Sequence, residues 1–170
     1  MRRFSWRGML SAIKGFNHFT PGEKAMSTRE ASNKTIVRRI FEEGFNQNKP
    51  AVWDELIGPN YVNHNFPAPA PGIEGFKMVV GMFLAGFPDL RITLDDVLAE
   101  GDRVATRGTF TGTHRGEFNG IPATGKSVKV PYIDIWRIDP ERGQAVENWV
   151  QMDMIGLLQQ LGVMPVPRAA

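Results

Sequence analysis

Four extended runs dominate the second half of the chain, and they constrain the fold more than any other feature. The runs cover residues 90–100, 103–114, 127–139 and 145–153. Short turn-forming segments at 101–102 and 139–143 join two of the pairs. Because tight connections join antiparallel neighbours, the sequence predicts a meander of long antiparallel strands.

Helical patterns come before the strands. An apolar stripe with helical spacing begins after Ala31, and Ser32 is available as its N-cap. Pro50 can open a second helix that Gly58-Pro59 would end, an extended piece covers 61–66, and further helices are expected at 73–87 and 154–161. We therefore predict an α+β fold with one domain over 31–170 and an extension over 1–30.

Composition excludes several classes of protein. The 170-residue chain contains no cysteine, which excludes disulfides, thiolate catalysis and cysteine-ligated zinc. It has no apolar run approaching the roughly 20 residues that span a bilayer. An integral membrane protein is therefore not expected.

The positive charge is concentrated at the N-terminus. Residues 1–25 carry five basic residues and one acidic residue, whereas the remainder carries 15 basic and 17 acidic residues. The mildly acidic body argues against a nucleic-acid partner. The basic segment fits an amphipathic membrane-surface helix, a transit peptide, a loose tail, or sequence upstream of a start at Met26. Because a secretory signal does not fit, we expect a cytoplasmic location.

One segment matches a phosphate-binding sequence motif, but the residues around it do not form the structure that the motif requires. Residues 120–127, GIPATGKS, fit the phosphate-loop pattern, which needs a helix beginning at its Lys-Ser pair. The residues that follow form an extended run containing Pro131. We therefore interpret the segment as a hairpin loop and not as a nucleotide site.

Alternation sorts the strand side chains into faces. Tyr132, Asp134 and Trp136 share one face of their run, opposite Ile133 and Ile135. On the last run, one face carries Asn148 with three apolar residues and the other carries Glu147, Trp149, Gln151 and Asp153. Both faces are largely apolar, which fits either a sheet curled around a cavity or a concave side filled by helices.

Two carboxylates are candidates for acid/base chemistry. Asp153 ends the last strand; burial in an apolar cavity would raise its pKa and let it move a proton, but spacing alone favours Asp153 as the cap of the following helix. Asp134 is a second buried candidate, with a structural ion pair or backbone contact as the alternative.

Two histidines are further candidates. His64 and His114 could each donate to a substrate oxygen or share a proton with Asp153, or could be structural. Their spacing with an aspartate does not recommend a metal site.

Six segments, taken in order, carry a family resemblance. They are FPDL (87–90), AEGD (99–102), GTHRG (112–116), GIPATG (120–125), and WVQMD (149–153) followed by LQQLG (158–162). Together they resemble the SnoaL-like polyketide cyclase family, also called ester cyclases, over roughly residues 33–165. The resemblance implies a nuclear-transport-factor-2-like fold, in which a curved antiparallel sheet and helices form a cone-shaped pocket.

The resemblance also implies a chemistry. Family cyclases close a ring by intramolecular aldol condensation without metal or cofactor, with an aspartate as general acid/base, a role that falls on Asp153. It suggests His64, His114 and Asn63 as polar pocket groups and Trp149 as a wall. The candidates for further substrate contacts are Tyr132, Asp134 and Gln151.

Three functions remain open at this stage. The chain could be a cyclase or related C–H acid/base enzyme acting on a hydrophobic, carbonyl-containing small molecule. It could bind such a molecule without turnover, or its sheet could mediate protein contacts over a filled cavity. A homodimer or higher homo-oligomer is expected. The first function predicts that Asp153 is buried in the pocket with a raised pKa.

Overall fold

The α+β fold predicted from the sequence is confirmed in the computed structural model, which describes residues 28–166. The elements follow the predicted order. They are α1 (Thr28–Arg39), a π-helical segment (Ile40–Phe45), α2 (Pro50–Leu56), β1 (Ile57–Asn63), α3 (Gly72–Gly86), β2 (Arg91–Glu100), β3 (Arg103–Thr113), β4 (Ser127–Ile138), β5 (Ala145–Met152) and α4 (Met154–Leu161). The predictions made for residues 1–25 lie outside the described residues.

The five strands form one curved, unclosed sheet in the order β1-β5-β4-β3-β2. Strands β2 to β5 make the predicted antiparallel meander. Strand β1 corrects the all-antiparallel prediction, because it pairs in parallel with β5 and makes the sheet mixed. The crossover through α3 carries the chain from β1 at one edge to β2 at the other, which permits this parallel pairing.

Two predicted boundaries were wrong. Ser32 lies inside α1 and is not its N-cap. The helix continues through it and is held to the β2–β3 turn, where Glu30 Oε1 accepts a hydrogen bond from the Gly101 amide and Asn33 Nδ2 donates to the Gly101 carbonyl. Gly58 and Pro59 do not end a helix but belong to β1. Proline is tolerated there because β1 is an edge strand.

The inner face of the sheet is set by strict alternation along β4. Val128, Val130, Tyr132, Asp134, Trp136 and Ile138 are buried, and most residues between them are exposed. Helix α4 packs on this strand through Leu157 and Leu161. Gln160 secures the contact by accepting from the Lys129 amide and donating to its carbonyl.

The π-helical segment turns two phenylalanines towards the inner face. The Asn46 amide donates to the Phe41 carbonyl at 2.9 Å, five residues back. The rings of Phe41 and Phe45 consequently stack, with centroids 5.6 Å apart. Gly44 packs against the indole of Trp53, where a Cβ would clash. The wider turn thus places two aromatic rings on the helical side, facing the inner face of the sheet.

The rejection of the phosphate-loop motif is confirmed. Ser127, its last residue, is the first residue of β4 and not the start of a helix. Gly120 and Gly125 adopt positive φ angles of 76° and 71° in the connection. Across residues 28–166, no helix is long and apolar enough to cross a membrane.

Candidate functional site

A cavity of about 520 Å³ lies between the concave face of the sheet and the helices. Its walls are mostly aromatic: Phe45 and Phe76 come from the helical side, and Phe110 from β3. The cavity is open, so the alternative in which helices fill the concave side does not hold. Cavities of a few hundred Å³ with few polar groups are typical of small-molecule sites.

Asp134 is the one carboxyl group among the described residues that line this cavity. It lies in the middle of β4 and is only 3% exposed. On β3, Thr106 lies directly opposite in the strand register, and its hydroxyl donates to Asp134 Oδ1 at 2.5 Å. The Thr106 hydroxyl therefore engages one of the two carboxyl oxygens.

Burial raises the pKa of Asp134 from its ordinary 3.8 to about 7. The hydrogen bond from Thr106 opposes this rise, because it favours the charged form. The indole N–H of Trp136 and the amide of Asn148 also lower the pKa, although neither makes a well-formed hydrogen bond to the carboxyl. An acid with a pKa near neutrality can both take and return a proton.

A chain of side-chain amides links the sheet to the cavity mouth. Asn63 Nδ2 donates to Asn148 Oδ1 at 3.3 Å, and Asn148 Nδ2 donates to the Ile135 carbonyl at 3.3 Å. Asn63 Oδ1 accepts from the amides of Asn65 and Phe66 at 2.9 and 2.7 Å. Asn63 therefore lies at the cavity, where it was expected, and holds the loop that carries Phe66 into the wall.

The structure places Asp153 away from the cavity. Its side chain caps α4, with Oδ1 accepting from the Gly156 amide at 2.8 Å, and the residue is exposed. The cap that spacing favoured is confirmed, and the expected burial of Asp153 in the pocket is wrong. The physical reason is local, since the free amides of a helix N-terminus bind an aspartate immediately before them.

His114 is buried but does not line the cavity. It lies under the β3–β4 connection, where Nδ1 accepts from the Thr124 amide at 3.2 Å. The ring packs on Phe87 at 5.2 Å between centroids. These contacts describe a histidine that holds the connection in place, and they do not bring it to Asp153.

Three other candidates lie on the outer face of the sheet or beside it. His64 stacks on Trp149, with ring centroids 4.6 Å apart and planes 4° apart. Its Nε2 is 3.6 Å from Glu147 Oε2. Trp149 and Gln151 follow the outward parity of β5, while Asn148, Val150 and Met152 line the cavity. Strand parity separated the two faces correctly but could not say which one was inside.

The expected substrate contacts Tyr132 and Asp134 do line the cavity, and sequence reasoning missed Thr106. Nothing in the local sequence marks this threonine. Only the pairing of β3 with β4 places it opposite Asp134. Within residues 28–166, no cluster of three or more potential metal ligands occurs.

Comparisons with known proteins identify the family. The model of the SnoaL-like polyketide cyclase family matches residues 35–161. The chain belongs to the SnoaL-like polyketide cyclase family. None of the curated protein sequences is significantly similar to it.

Several solved structures share the fold. A candidate SnoaL-like polyketide cyclase from Jannaschia sp. CCS1 is 29% identical, with a TM-score of 0.73, over 82% of this chain and 97% of that one. TsrD from Streptomyces laurentii is 34% identical, with a TM-score of 0.72, over 79% and 97%. IdmH from Streptomyces antibioticus, a candidate polyketide cyclase, is 32% identical, with a TM-score of 0.66, over 76% and 98%.

Proposed function

We propose that this SnoaL-like protein is a cofactor-independent acid/base enzyme that closes a ring in a carbonyl-containing small molecule, with Asp134 as the base. The observation that carries the proposal is the single buried carboxyl, with a pKa near 7, in the wall of an apolar cavity. The base expected from the sequence, Asp153, is replaced because it is exposed and engaged in capping α4.

The reaction needs one proton shuttle. Asp134 Oδ2 takes a proton from a carbon next to a carbonyl, and the electron pair of that C–H bond forms an enolate. The enolate carbon attacks a second carbonyl carbon of the same molecule, which forms the C–C bond. Asp134 then returns the proton to the new alkoxide, so the carboxyl ends each cycle ionised.

The apolar wall supports this chemistry in two ways. It binds a hydrophobic substrate by removing apolar surface from water. It also excludes the water that would otherwise stabilise the ionised carboxyl, which makes Asp134 a stronger base than an exposed aspartate.

The proposal is tested by incubating the protein with a panel of polycarbonyl compounds and following ring closure by mass spectrometry. Removing a positioned acid/base typically lowers the rate about 10²–10⁴-fold, and we expect this loss for Asp134→Asn. Asp153→Asn is the matched control and should keep the rate within about threefold, because asparagine also caps helices. Turnover that survives in Asp134→Asn and collapses in Asp153→Asn would reverse the assignment.

Binding without turnover is the alternative function. It predicts that compounds bind the wild type and Asp134→Asn equally well, with no product from either. The cytoplasmic location expected from the sequence stays a prediction.

We further propose that the outer face of the sheet pairs two copies of the chain. Ile133 and Ile135 are 57% and 38% exposed there, next to Trp149. The rim carries both charge signs, since Arg107 contacts Asp95 and Asp96, and such a patch can be complementary to itself. Ile133→Lys with Ile135→Lys should shift a dimer to monomer in light scattering. A wild-type monomer at micromolar concentration would contradict this pairing.

A further inference from the structure

The segment between β1 and α3 forms part of the cavity wall. We call residues 64–71 the strap. Phe66, Ala68, Ala70 and Pro71 of the strap line the cavity, and Ala68 and Pro71 are also exposed to solvent. At these positions the strap is therefore a single layer of residues between the cavity and water.

The exposed part of the cavity wall is confined to one side. Among the described residues that line the cavity, the exposed ones are Pro59, Asn60, Val62, Ala68 and Pro71. All of them belong to β1 or to the strap. The lining residues that come from the helices and from the other strands are buried or half-buried. The mouth of the cavity thus lies beside the strap.

The composition of the strap makes it stiff and leaves it weakly held. Three of its last five residues are proline. Proline has no amide hydrogen and favours an extended backbone, so this stretch cannot join the sheet. Within the described part of the chain, residues 67–70 make no hydrogen bond. A stiff segment with few hydrogen bonds opens at low cost and moves about its ends.

Asn65 ties one end of the strap to β5. Just beyond the end of β1, the His64 amide donates to the Asn148 carbonyl at 3.0 Å. One residue further on, Asn65 Oδ1 accepts a hydrogen bond from the Val150 amide at 2.9 Å, so a side chain continues the pairing with β5. Asn65 is exposed, and water can therefore compete for this hydrogen bond.

The other end of the strap lies against α3 at a glycine. A Cβ at Gly75 would lie 1.9 Å from the Ala70 carbonyl oxygen and 2.8 Å from Ala68 Cβ. The strap can rest on the helix only because Gly75 has no side chain. Between the two ends, the ring of Phe66 packs edge to face on Phe83, with centroids 5.7 Å apart.

We propose that the strap is the gate through which small molecules enter and leave the cavity. It opens when the hydrogen bond between Asn65 and Val150 breaks and Phe66 leaves Phe83, and the missing side chain of Gly75 lets it close again. The gate goes beyond the proposed function, because it controls access whether or not the protein turns a compound over. During turnover, a closed strap would keep water away from Asp134.

The test uses a single introduced thiol, because the chain contains no cysteine. Val80 lines the cavity and is 3% exposed, whereas Val37 is buried in the core and does not line the cavity. Val80→Cys and Val37→Cys are each reacted with N-ethylmaleimide, and the labelling rate is followed by mass spectrometry. The thiol at position 80 reports opening of the strap, and the thiol at position 37 reports unfolding of the domain.

The first pair of variants tests the hydrogen bond at Asn65. Asn65→Ala removes the acceptor of the Val150 amide and should raise the labelling rate of Val80→Cys about fivefold. The labelling rate of Val37→Cys should stay within about twofold. Asn65→Asp keeps an acceptor oxygen and should restore the original rate for Val80→Cys.

The second pair tests the glycine under the strap. Gly75→Ala places a methyl group against the Ala70 carbonyl and should raise the labelling rate of Val80→Cys about tenfold. Gly81→Ala is the matched control on the same helix, because nothing lies within 4 Å of a Cβ there, and its rate should stay within about twofold. Circular dichroism checks folding. If Gly75→Ala does not fold, the Asn65 variants decide the question.

Two results would overturn the inference. Labelling of Val80→Cys that none of these substitutions changes would show that molecules reach the cavity by another path. Equal increases for Val80→Cys and Val37→Cys would show that the substitutions destabilise the whole domain and do not open a gate. Neither result bears on Asp134, whose role as the base is tested by turnover.

Discussion

Asp134 and Asp153 are two aspartates of one chain that occupy opposite environments. Asp134 lies in the middle of β4, buried, with one oxygen held by Thr106. Asp153 follows the last residue of β5 and is exposed, and its side chain accepts a hydrogen bond from the Gly156 amide of α4. The first is short of solvation, which favours its protonated form, whereas the second is solvated and hydrogen-bonded as a helix cap. The comparison shows that surroundings, and not position near a strand end, decide which aspartate has the raised pKa that acid/base chemistry needs.

The largest expected difference between the two aspartates is in how each makes the free energy of unfolding depend on pH. The pKa of Asp134 is raised from 3.8 to about 7, so ionising it costs folding free energy. The protonated carboxyl contributes fully to the free energy of unfolding below the ordinary pKa of 3.8, and this contribution is lost as pH rises through about 7. Since each pKa unit corresponds to about 1.4 kcal/mol, Asp134→Asn should be up to roughly 4 kcal/mol more stable than wild type at about pH 8.

This difference is measured by urea unfolding across the pH range, with Asp153→Asn as the control. The Asp134→Asn advantage should shrink as pH falls from about 7 and vanish well below the ordinary pKa of 3.8, where the wild-type carboxyl is protonated in both the folded and the unfolded state. A constant difference between the variant and the wild type at every pH would mean that Asp134 ionises as readily as an exposed aspartate.

A smaller effect is expected at the cap. Asp153→Ala leaves the Gly156 amide without its side-chain acceptor and should cost about 1 kcal/mol of stability. Asp153→Asn should restore most of this, because asparagine accepts the same hydrogen bond. Thermal unfolding of the two variants measures the effect. If the loss of the cap in Asp153→Ala also lowers the cyclisation rate, while Asp153→Asn keeps both the cap and the rate, helix α4 is part of the active site.

The finest contrast concerns the partner of Asp134. Thr106 donates to the ionised carboxyl and lowers its pKa, so Thr106→Val should raise that pKa further. The rise of the reaction rate with pH should then move to higher pH, while Thr106→Ser, which keeps a hydroxyl, should restore the wild-type profile. If the reaction rate of Thr106→Val is lower at every pH but rises with the same midpoint as that of the wild type, Thr106 has a role in packing only.

Local patterns predicted most of the fold. The bounds of α4, 154–161, coincide with the prediction, and the four long strands agree within one residue at each end. The alternation of apolar and polar residues and the positions of glycine and proline are local signals that span a few residues, so they can be identified from the sequence alone. The pairing of β1 with β5 and the π-helical turn depend on distant contacts, and no local signal marked them.

The site was harder to predict than the fold. Asp134 was recognised as a buried candidate, but the family motif drew the catalytic role to Asp153. Trp149 and Asn148 are neighbours on β5 and face opposite sides of the sheet. The sequence analysis expected Trp149 at the pocket, but Asn148 lines the cavity and Trp149 stacks on His64 outside it. Burial and register decide such choices, and both are properties of the assembled sheet.

The measurement that tests the central claim most directly is titration of the aspartate carboxyls by isotope-edited infrared spectroscopy, in the wild type and in Asp134→Asn. The account predicts one carboxyl with a midpoint near 7, absent from Asp134→Asn and present in Asp153→Asn. If every aspartate of the wild type titrates near the ordinary pKa of 3.8, Asp134 is not held in an apolar cavity as an acid/base group with a raised pKa, and the proposed mechanism fails.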